Sequence, residues 1–498
     1  MDDVTLTSVN PEALARAFFR FRELCHPKGL SFNASKCEWY GGLVNVPIPP
    51  SLAAAGVKSV FGCIKVLGAY VGESHFVQQN LLKKLEKHVS LFARLASLEP
   101  GPATYAMFTK CTLPRHMFHL RTHRPEDTAE LCRVFDSRTM EIVAKWFDVA
   151  PDDDLGLAIA SLPKKKGGNG FVRTVPLRQL SFDSSVYAAL RVFGREGQMQ
   201  RPMSQRDATM KMHEEHITRI CLASNPDVDL VERLLDANSQ NGSGGWLDCP
   251  TQTMNSAAYA SAWRLRCFAR ARSLPAGAQC PTHASAGVMH QKKFALHAHG
   301  CASMPSKKNA TNAHNHLAYH LDKVCRSNAI RSEVEPRGFQ TYTCSKCNMV
   351  IEGQGVAQKL KQHDRSCGSR PLRSGVDIEI MLGSRRWMLD FTVIHATCPS
   401  LVKTSYDTLV QTKTKEKVRK YVDSGMIPRS EFLVAVIWSH GVLHKDFTDF
   451  LKLLAAEARI DFVDLVDGIR NCTMWGQWAS VCAAFKTVCA AAYSRAIT

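Results

Sequence analysis

The chain has 498 residues, 45% hydrophobic and 22% charged, with a formal net charge of +18 and 18 cysteines. That length exceeds one ordinary hydrophobic core, the composition excludes a largely disordered chain, and the basic excess favours a polyanionic partner because each neutralised phosphate releases condensed counterions. The amino terminus, MDDVTLTSVNPEAL, lacks the basic and apolar regions of a signal peptide, and no apolar run approaches the roughly 20 residues that span a bilayer, so no membrane partner is expected. The cysteines read as buried thiols and metal ligands in a reducing compartment rather than as a disulfide framework.

In chain order, two adjacent acids, Asp2 and Asp3, stand directly before the β-prone triplet Val4-Thr5-Leu6. PEALARAFFRFRELC, apolar at Leu14, Phe18, Phe21 and Leu24, predicts a helix. Gly29-Leu30-Ser31-Phe32-Asn33-Ala34-Ser35-Lys36-Cys37-Glu38 follows, then a proline-rich loop and a strand-turn-strand run from Ile64 to Gly72. From His75 to about Phe147 the pattern is helical, with Val77, Leu81, Leu85, Val89, Phe92 and Leu95 on one face and Lys83, Lys84 and Lys87 on the other. The loop from Leu162 to Gly170 carries Lys164, Lys165 and Lys166 but lacks the Gly-Lys-Ser/Thr ending of a phosphate loop. Residues 180–235 read as further helix, Asn238 to Gly245 as a flexible boundary. The segment from Trp246 carries Arg264, Arg266, Arg270 and Arg272, which form either a nucleic-acid surface or the wet face of a helix.

Between His290 and Cys325, His297, His299, Cys301, His314, His316 and His320 fit no common four-ligand spacing, and structural histidines around a helix explain them at least as well. Cys344-x2-Cys347 and His363-x3-Cys367 are different. A knuckle and a helical turn are the two local geometries that let four side chains converge on structural Zn²⁺. DIEIML and WMLDFTVI then predict a hairpin across Gly383-Ser384, with Asp377 at the start of the first strand and Asp390 in the middle of the second. Paired, the two carboxylates could hold a hard cation such as catalytic Mg²⁺. Lys417, with Lys420 and Tyr421 on a following helix, would orient water or bind a scissile phosphate, Lys403 and Lys415 remaining alternatives. A strand from Phe432 to Trp438 and a helix after Lys445 would complete an α/β core.

The first third resembles the second half of a reverse-transcriptase palm. In that family an aromatic-x-Asp-Asp turn holds catalytic metal, a Gly-Leu-x-x-Asn-x-x-Lys-x-Glu segment follows a helix, and a Leu-Gly hairpin closes the palm. Asp2 and Asp3 fall at the acidic pair, Asn33 and Lys36 at the second motif, and Leu67-Gly68 at the third. The resemblance makes the following helices the thumb and Lys164 to Lys166 a loop after it. Two-metal nucleotidyl transfer needs carboxylates from two strands, and the partner strand is missing, so the acidic pair is expected to be a remnant without polymerase activity.

The last third resembles the restriction-like endonuclease of site-specific non-LTR retrotransposons, closest to the spliced-leader-associated elements of trypanosomatids. There a Cys-Cys-His-Cys finger precedes a Pro-Asp, a second Asp and a displaced lysine. Here Val376 replaces the proline, and Thr392 stands where simpler relatives place lysine.

The resemblance implies a multidomain α+β protein: palm half (1–73), helical thumb (74–178), helical connector and linker (179–245), helical linker region (246–335), zinc finger (336–368) and α/β restriction-like nuclease core (369–498). It further implies a truncated retrotransposon reverse transcriptase/endonuclease that acts in the nucleus on target DNA and element RNA. Nucleic-acid contacts are expected from Lys36, Lys164, Lys165, Lys166, Arg264, Arg266 and Lys420, and metal-dependent nicking from Asp377, Asp390 and Lys417. The alternative is a non-catalytic nucleic-acid-binding protein or inactive remnant of the element.

Overall fold

The computed structural model describes residues 4–31, 33–150, 152–198, 204–224, 227–240, 243–247, 256–272, 306–336, 340–344, 346–351, 356–368, 372–395, 401, 403–470 and 472–473. Asp2 and Asp3 lie outside them, as do His297, His299 and Cys301. The chain is mixed α+β, with many helices and, among the described residues, four small sheets, and it divides into two compact units, each discontinuous in sequence. No described helix is long and apolar enough to cross a membrane.

The first unit comprises Met1–Leu98, Phe108–Ile142 and Val172–Glu215. Its helix α1 (Pro11–Cys25) starts where sequence signals place it: Asn10 caps it by accepting the Ala13 N–H, and proline occupies the first turn. Leu14, Ala15 and Phe18 of α1 pack with Trp39, Leu52 and Val57, which come from strand β1 (Glu38–Tyr40), short helix α2 (Pro50–Ala54) and the approach to β2 (Lys58–Val60). Strands β1 and β2 pair in parallel. The predicted strand-turn-strand is an antiparallel hairpin of β3 (Cys63–Val66) and β4 (Ala69–Gly72). Leu67 and Gly68 turn it with φ of 47° and 90°, both positive as a two-residue hairpin turn with matching twist requires.

Helix α3 (Ser74–Ser97) buries Val77, Leu81, Leu85, Phe92 and Leu95, the predicted stripe. The helical pattern does not run unbroken to Phe147. Pro100, Gly101 and Pro102 end it, and the chain restarts as α4 (Pro102–Ala106), α5 (Met117–Thr122) and α6 (Pro125–Trp146). Within the first unit, buried Asp136 of α6 accepts the backbone N–H groups of Thr174 and Val175 and the Thr174 hydroxyl, satisfying a loop that would otherwise bury unpaired donors.

The second unit comprises Glu99–Met107, Val143–Phe171 and His216–Thr498. Helix α8 (Arg178–Val192) belongs to the first unit and α9 (Gln205–Ala223) begins there and ends in the second; with α7 (Asp154–Ser161), α10 (Val228–Ser239) and α11 (Ser256–Arg266), the second unit has an aromatic core in which Phe147 stacks on Trp263 at 4.0 Å between ring centroids. This core corrects two expectations. Arg266 is not a nucleic-acid contact: it is 2% exposed, and its guanidinium donates to the carbonyls of Gly168, Asn238, Ser243 and Lys164 and to Asn238 Oδ1. Arg264 is likewise buried, donating to the Phe147 carbonyl at 2.7 Å with Asp148 at 3.6 Å. A buried guanidinium must spend its donors internally, leaving none for phosphate. In the segment expected as a flexible boundary, Asn238 and Ser243 are each 1% exposed and hydrogen-bonded to each other.

The remaining elements are α12 (Ser306–Ser327), β5 (Ser332–Val334), β6 (Gln340–Thr343), β7 (Val350–Ile351), α13 (Val356–Cys367), β8 (Leu372–Gly375), β9 (Ile378–Leu382), β10 (Arg385–Ile394), α14 (Tyr406–Tyr421), β11 (Phe432–Trp438) and α15 (Lys445–Ala458). Strands β7, β6 and β8 form one antiparallel sheet, and the order β11-β10-β9-β5 forms another. Strand β5 thus joins the larger sheet from upstream of residue 335, and β8 joins β6 from downstream of residue 368.

Strands β9 and β10 are the predicted hairpin, and β11 lies parallel to β10 with α14 as the crossover that parallel pairing demands. One face carries Ile378, Ile380, Leu389 and Phe391 against Leu317, Leu321 and Cys325 of α12 and Phe447, Phe450 and Leu454 of α15. The other carries Met388, Ile394, Val434 and Val436 against Leu409, Val410 and Tyr421 of α14. Burial on both faces explains why β11 reads FLVAVIW without alternation.

Candidate functional site

Two clusters of chemically capable side chains lie in the second unit. Cys344 directly follows β6, and a turn through Asn348 at φ 54° brings the chain back so that the Lys346 N–H points at Cys344 Sγ, 3.4 Å away. His363 and Cys367 occupy successive turns of α13. The four ligand atoms lie within 4.8 Å of one another, with Cys344 and Cys367 Sγ 3.7 Å apart and Cys347 Sγ 3.1 Å from His363 Nε2. Two thiolates bound tetrahedrally at about 2.3 Å from one ion would stand about 3.8 Å apart. The group could hold a metal ion such as zinc, and its thiol-rich donor set suits one.

The second cluster sits where β9 and β10 begin to pair. Leu389 opposes Ile378, and the Asp377 N–H donates to the Leu389 carbonyl, so Asp377 and Asp390 come side by side on adjacent strands. Asp377 Oδ2 accepts the Phe391 N–H at 2.5 Å and lies 3.2 Å from His314 Nε2. Asp390 is 2% exposed and faces α14. Lys417 Nζ lies 2.6 Å from its Oδ2, a close ion pair in a nearly water-free setting. Tyr421 Oη reaches Asp390 Oδ1 at 3.3 Å, donates to the Gly375 carbonyl at 2.8 Å and receives a hydrogen bond from Lys420 Nζ at 2.8 Å.

Electrostatics follow from this packing. Burial, then repulsion from Asp377, raises the Asp390 carboxyl above its ordinary value, with Lys417 opposing the shift. Burial and the two nearby carboxylates push the Tyr421 phenol up, so it remains a donor at neutral pH. Desolvation and repulsion from Lys417 lower Lys420. Burial pulls His314 down, but the hydrogen bond and charge of Asp377 outweigh it and leave the imidazole raised. The arrangement is two adjacent carboxylates, two cationic amines and a phenol between the central strands of the sheet and α14, a set able to hold a divalent cation beside an anionic ligand.

Of the residues expected here from sequence, Asp377, Asp390, Lys417 and Lys420 converge. Of the three lysines considered, Lys417 is the one beside Asp390; Lys403 pairs with Asp229 at 3.2 Å and Lys415 is exposed. Lys36 is exposed on a single helical turn, and Lys165 is exposed in a loop where Lys164 lies over the Tyr105 ring. Sequence reasoning missed His314, read only as a helix-stabilising histidine. One signal was available: His314 precedes Leu317, Leu321 and Cys325 on a single helical stripe, a polar residue where the apolar face runs out. The chain matches no protein-family model and no curated protein.

Proposed function

We propose that the second unit is a divalent-metal-dependent DNA endonuclease of the restriction-like kind, as in the non-LTR retrotransposons whose motifs the chain resembles. The observation that carries the reading is the buried Asp390 paired with Lys417 at 2.6 Å beside Asp377 on the neighbouring strand. A structural carboxylate gains little from such a place: burial and a like charge make it costly, and such costs are retained where a cation or reaction uses them.

The donor set fits Mg²⁺ because Asp377 and Asp390 offer hard carboxylate oxygens from adjacent strands. Asp377 and Asp390 would hold the ion, which when bound acts as a Lewis acid on the scissile phosphate and lowers the pKa of an attacking water. Lys417 contributes a positive charge beside the reacting phosphate or orients the water, in place of the lysine that Thr392 does not supply. Lys420 adds a second charge for the DNA backbone. Tyr421 holds Asp390 Oδ1 on one side and the strand leading into Asp377 on the other. The metal-ligating finger, joined to this core through β8, is the natural grip on nucleic acid.

The test is nicking of supercoiled plasmid by the full chain in Mg²⁺, beside Asp377→Ala and Asp390→Ala. Nicking by the parent alone is the expected result. Salt-sensitive DNA binding without nicking would replace the endonuclease reading with that of a binding module.

A further inference from the structure

Asp377 is held from two directions by two different elements. Its Oδ2 accepts the Phe391 N–H at 2.5 Å from the adjoining strand and faces His314 Nε2 at 3.2 Å from α12. A carboxylate oxygen with two N–H donors is occupied, which leaves Oδ1 as the atom free to bind a cation, and the two donors together fix both torsions of the side chain. The helix carrying His314 cannot shift easily, because Leu317, Leu321 and Cys325 bury its next turns against the sheet. The imidazole itself meets the Phe391 ring edge-on, at 88° and 6.1 Å. A histidine placed only to fill the core would lie among apolar side chains, whereas this one remains about one-third exposed and is turned to the carboxylate.

We infer that His314 is a positioning residue for the divalent-cation site: it acts through Asp377, presenting one carboxylate oxygen to the ion, and does not itself bind metal or substrate. This rests on the endonuclease reading of the site. Because α12 begins some seventy residues upstream of Asp377, the inference also makes that helix part of the working core rather than a connector to it. Removing the donor leaves the carboxylate on its strand but lets it rotate, so the loss falls on metal affinity before it falls on turnover at saturating metal.

The experiment uses the zinc-loaded full chain with His314→Ala and His314→Gln, Gln being able to donate an N–H from a similar reach. Mn²⁺ binding is measured by calorimetry, the Mg²⁺ dependence of plasmid nicking in parallel, and thermal melting as a fold control. For His314→Ala, Mn²⁺ affinity and the half-saturating Mg²⁺ are expected to worsen about ten- to a hundredfold, the range for loss of a partner that orients a metal ligand. Turnover at saturating Mg²⁺ should be largely kept, melting unchanged, and the Gln variant should recover most of the affinity. Unchanged metal affinity in the Ala variant overturns the inference. So does an equal loss of turnover at every Mg²⁺ concentration, which would make His314 a reacting group, and so does a fall in melting shared by both variants. A parent that binds Mn²⁺ in a His314-dependent way but nicks nothing keeps the positioning role and removes the endonuclease reading; a parent that binds no Mn²⁺ removes both.

Discussion

Lys417 and Asp390 meet in the interior of the second unit, the ammonium of a helix 2.6 Å from a strand carboxylate that is almost wholly withdrawn from water. Burial and the charge of Asp377 raise that carboxyl, with Lys417 opposing them. A group whose folded pKa is raised contributes stability below its unfolded value and loses it as pH rises through the folded value, so ionised Asp390 is a cost at neutral and alkaline pH. Asp390→Asn should therefore raise the melting temperature at about pH 8, give no gain at about pH 4, and abolish nicking. Lys417→Ala should do the reverse for stability, lowering it by about 1–3 kcal/mol at about pH 8, less than for a fully buried pair because Lys417 is partly solvated. Thermal melts of the metal-free chain at both pH values check this.

In the first unit, His116 and His119 are buried with unpartnered Nδ1 atoms beside His88. Burial, then nearby positive groups including Lys84, lowers them to about 4 and about 3 respectively. A depressed base contributes stability above its unfolded value of 6.5 that is lost as pH falls toward the folded values. Urea unfolding of the parent should weaken markedly between about pH 6.5 and about pH 4, and His119→Phe should flatten that loss. Identical pH profiles for the two proteins would refute this.

Arg266→Ala should cost about 3 kcal/mol or more, since it leaves several buried carbonyls without donors. The fraction that folds should bind DNA with an unaltered salt dependence. Lys165→Ala should instead leave stability untouched and, if that loop meets phosphate, reduce the salt slope by about one. Melting and DNA titrations at several salt concentrations separate the two roles.

Cys347→Ser and His363→Ala should each remove zinc from the purified chain, measurable as metal content per chain. With three ligands left, the short sheet of β6, β7 and β8 has little apolar core of its own, so proteolysis between 340 and 375 should accelerate. Retained zinc in both variants would exclude this ligand set.

Local pattern carried much of this in sequence. Helix α1 has its cap and proline, the β3–β4 turn its Leu-Gly pair, and the two metal-ligand pairs their spacing, because each depends on residues within a few positions. The β9–β10 register was readable too, since one hairpin turn sets it. What depends on distant packing was not. Arg264 and Arg266 look like any basic helix face until Gly168, Asn238 and Phe147 surround them. Lys417 was already the first of three lysines in sequence, but its contact with Asp390 needs the α14 crossover, and the His314–Asp377 contact needs the fold to bring a helix back onto a strand more than sixty residues later.

Only Val376 separates Gly375, the last residue of the finger's sheet, from Asp377, and the Gly375 carbonyl is the one that Tyr421 grips. Any slackening of the finger is therefore passed along covalent backbone to a carboxylate that must be placed within a fraction of an ångström. If both groups hold ions, loading of the Cys-His group is expected to favour cation binding at Asp377, measurable as tighter Mn²⁺ binding by the zinc-loaded chain than by the zinc-stripped one.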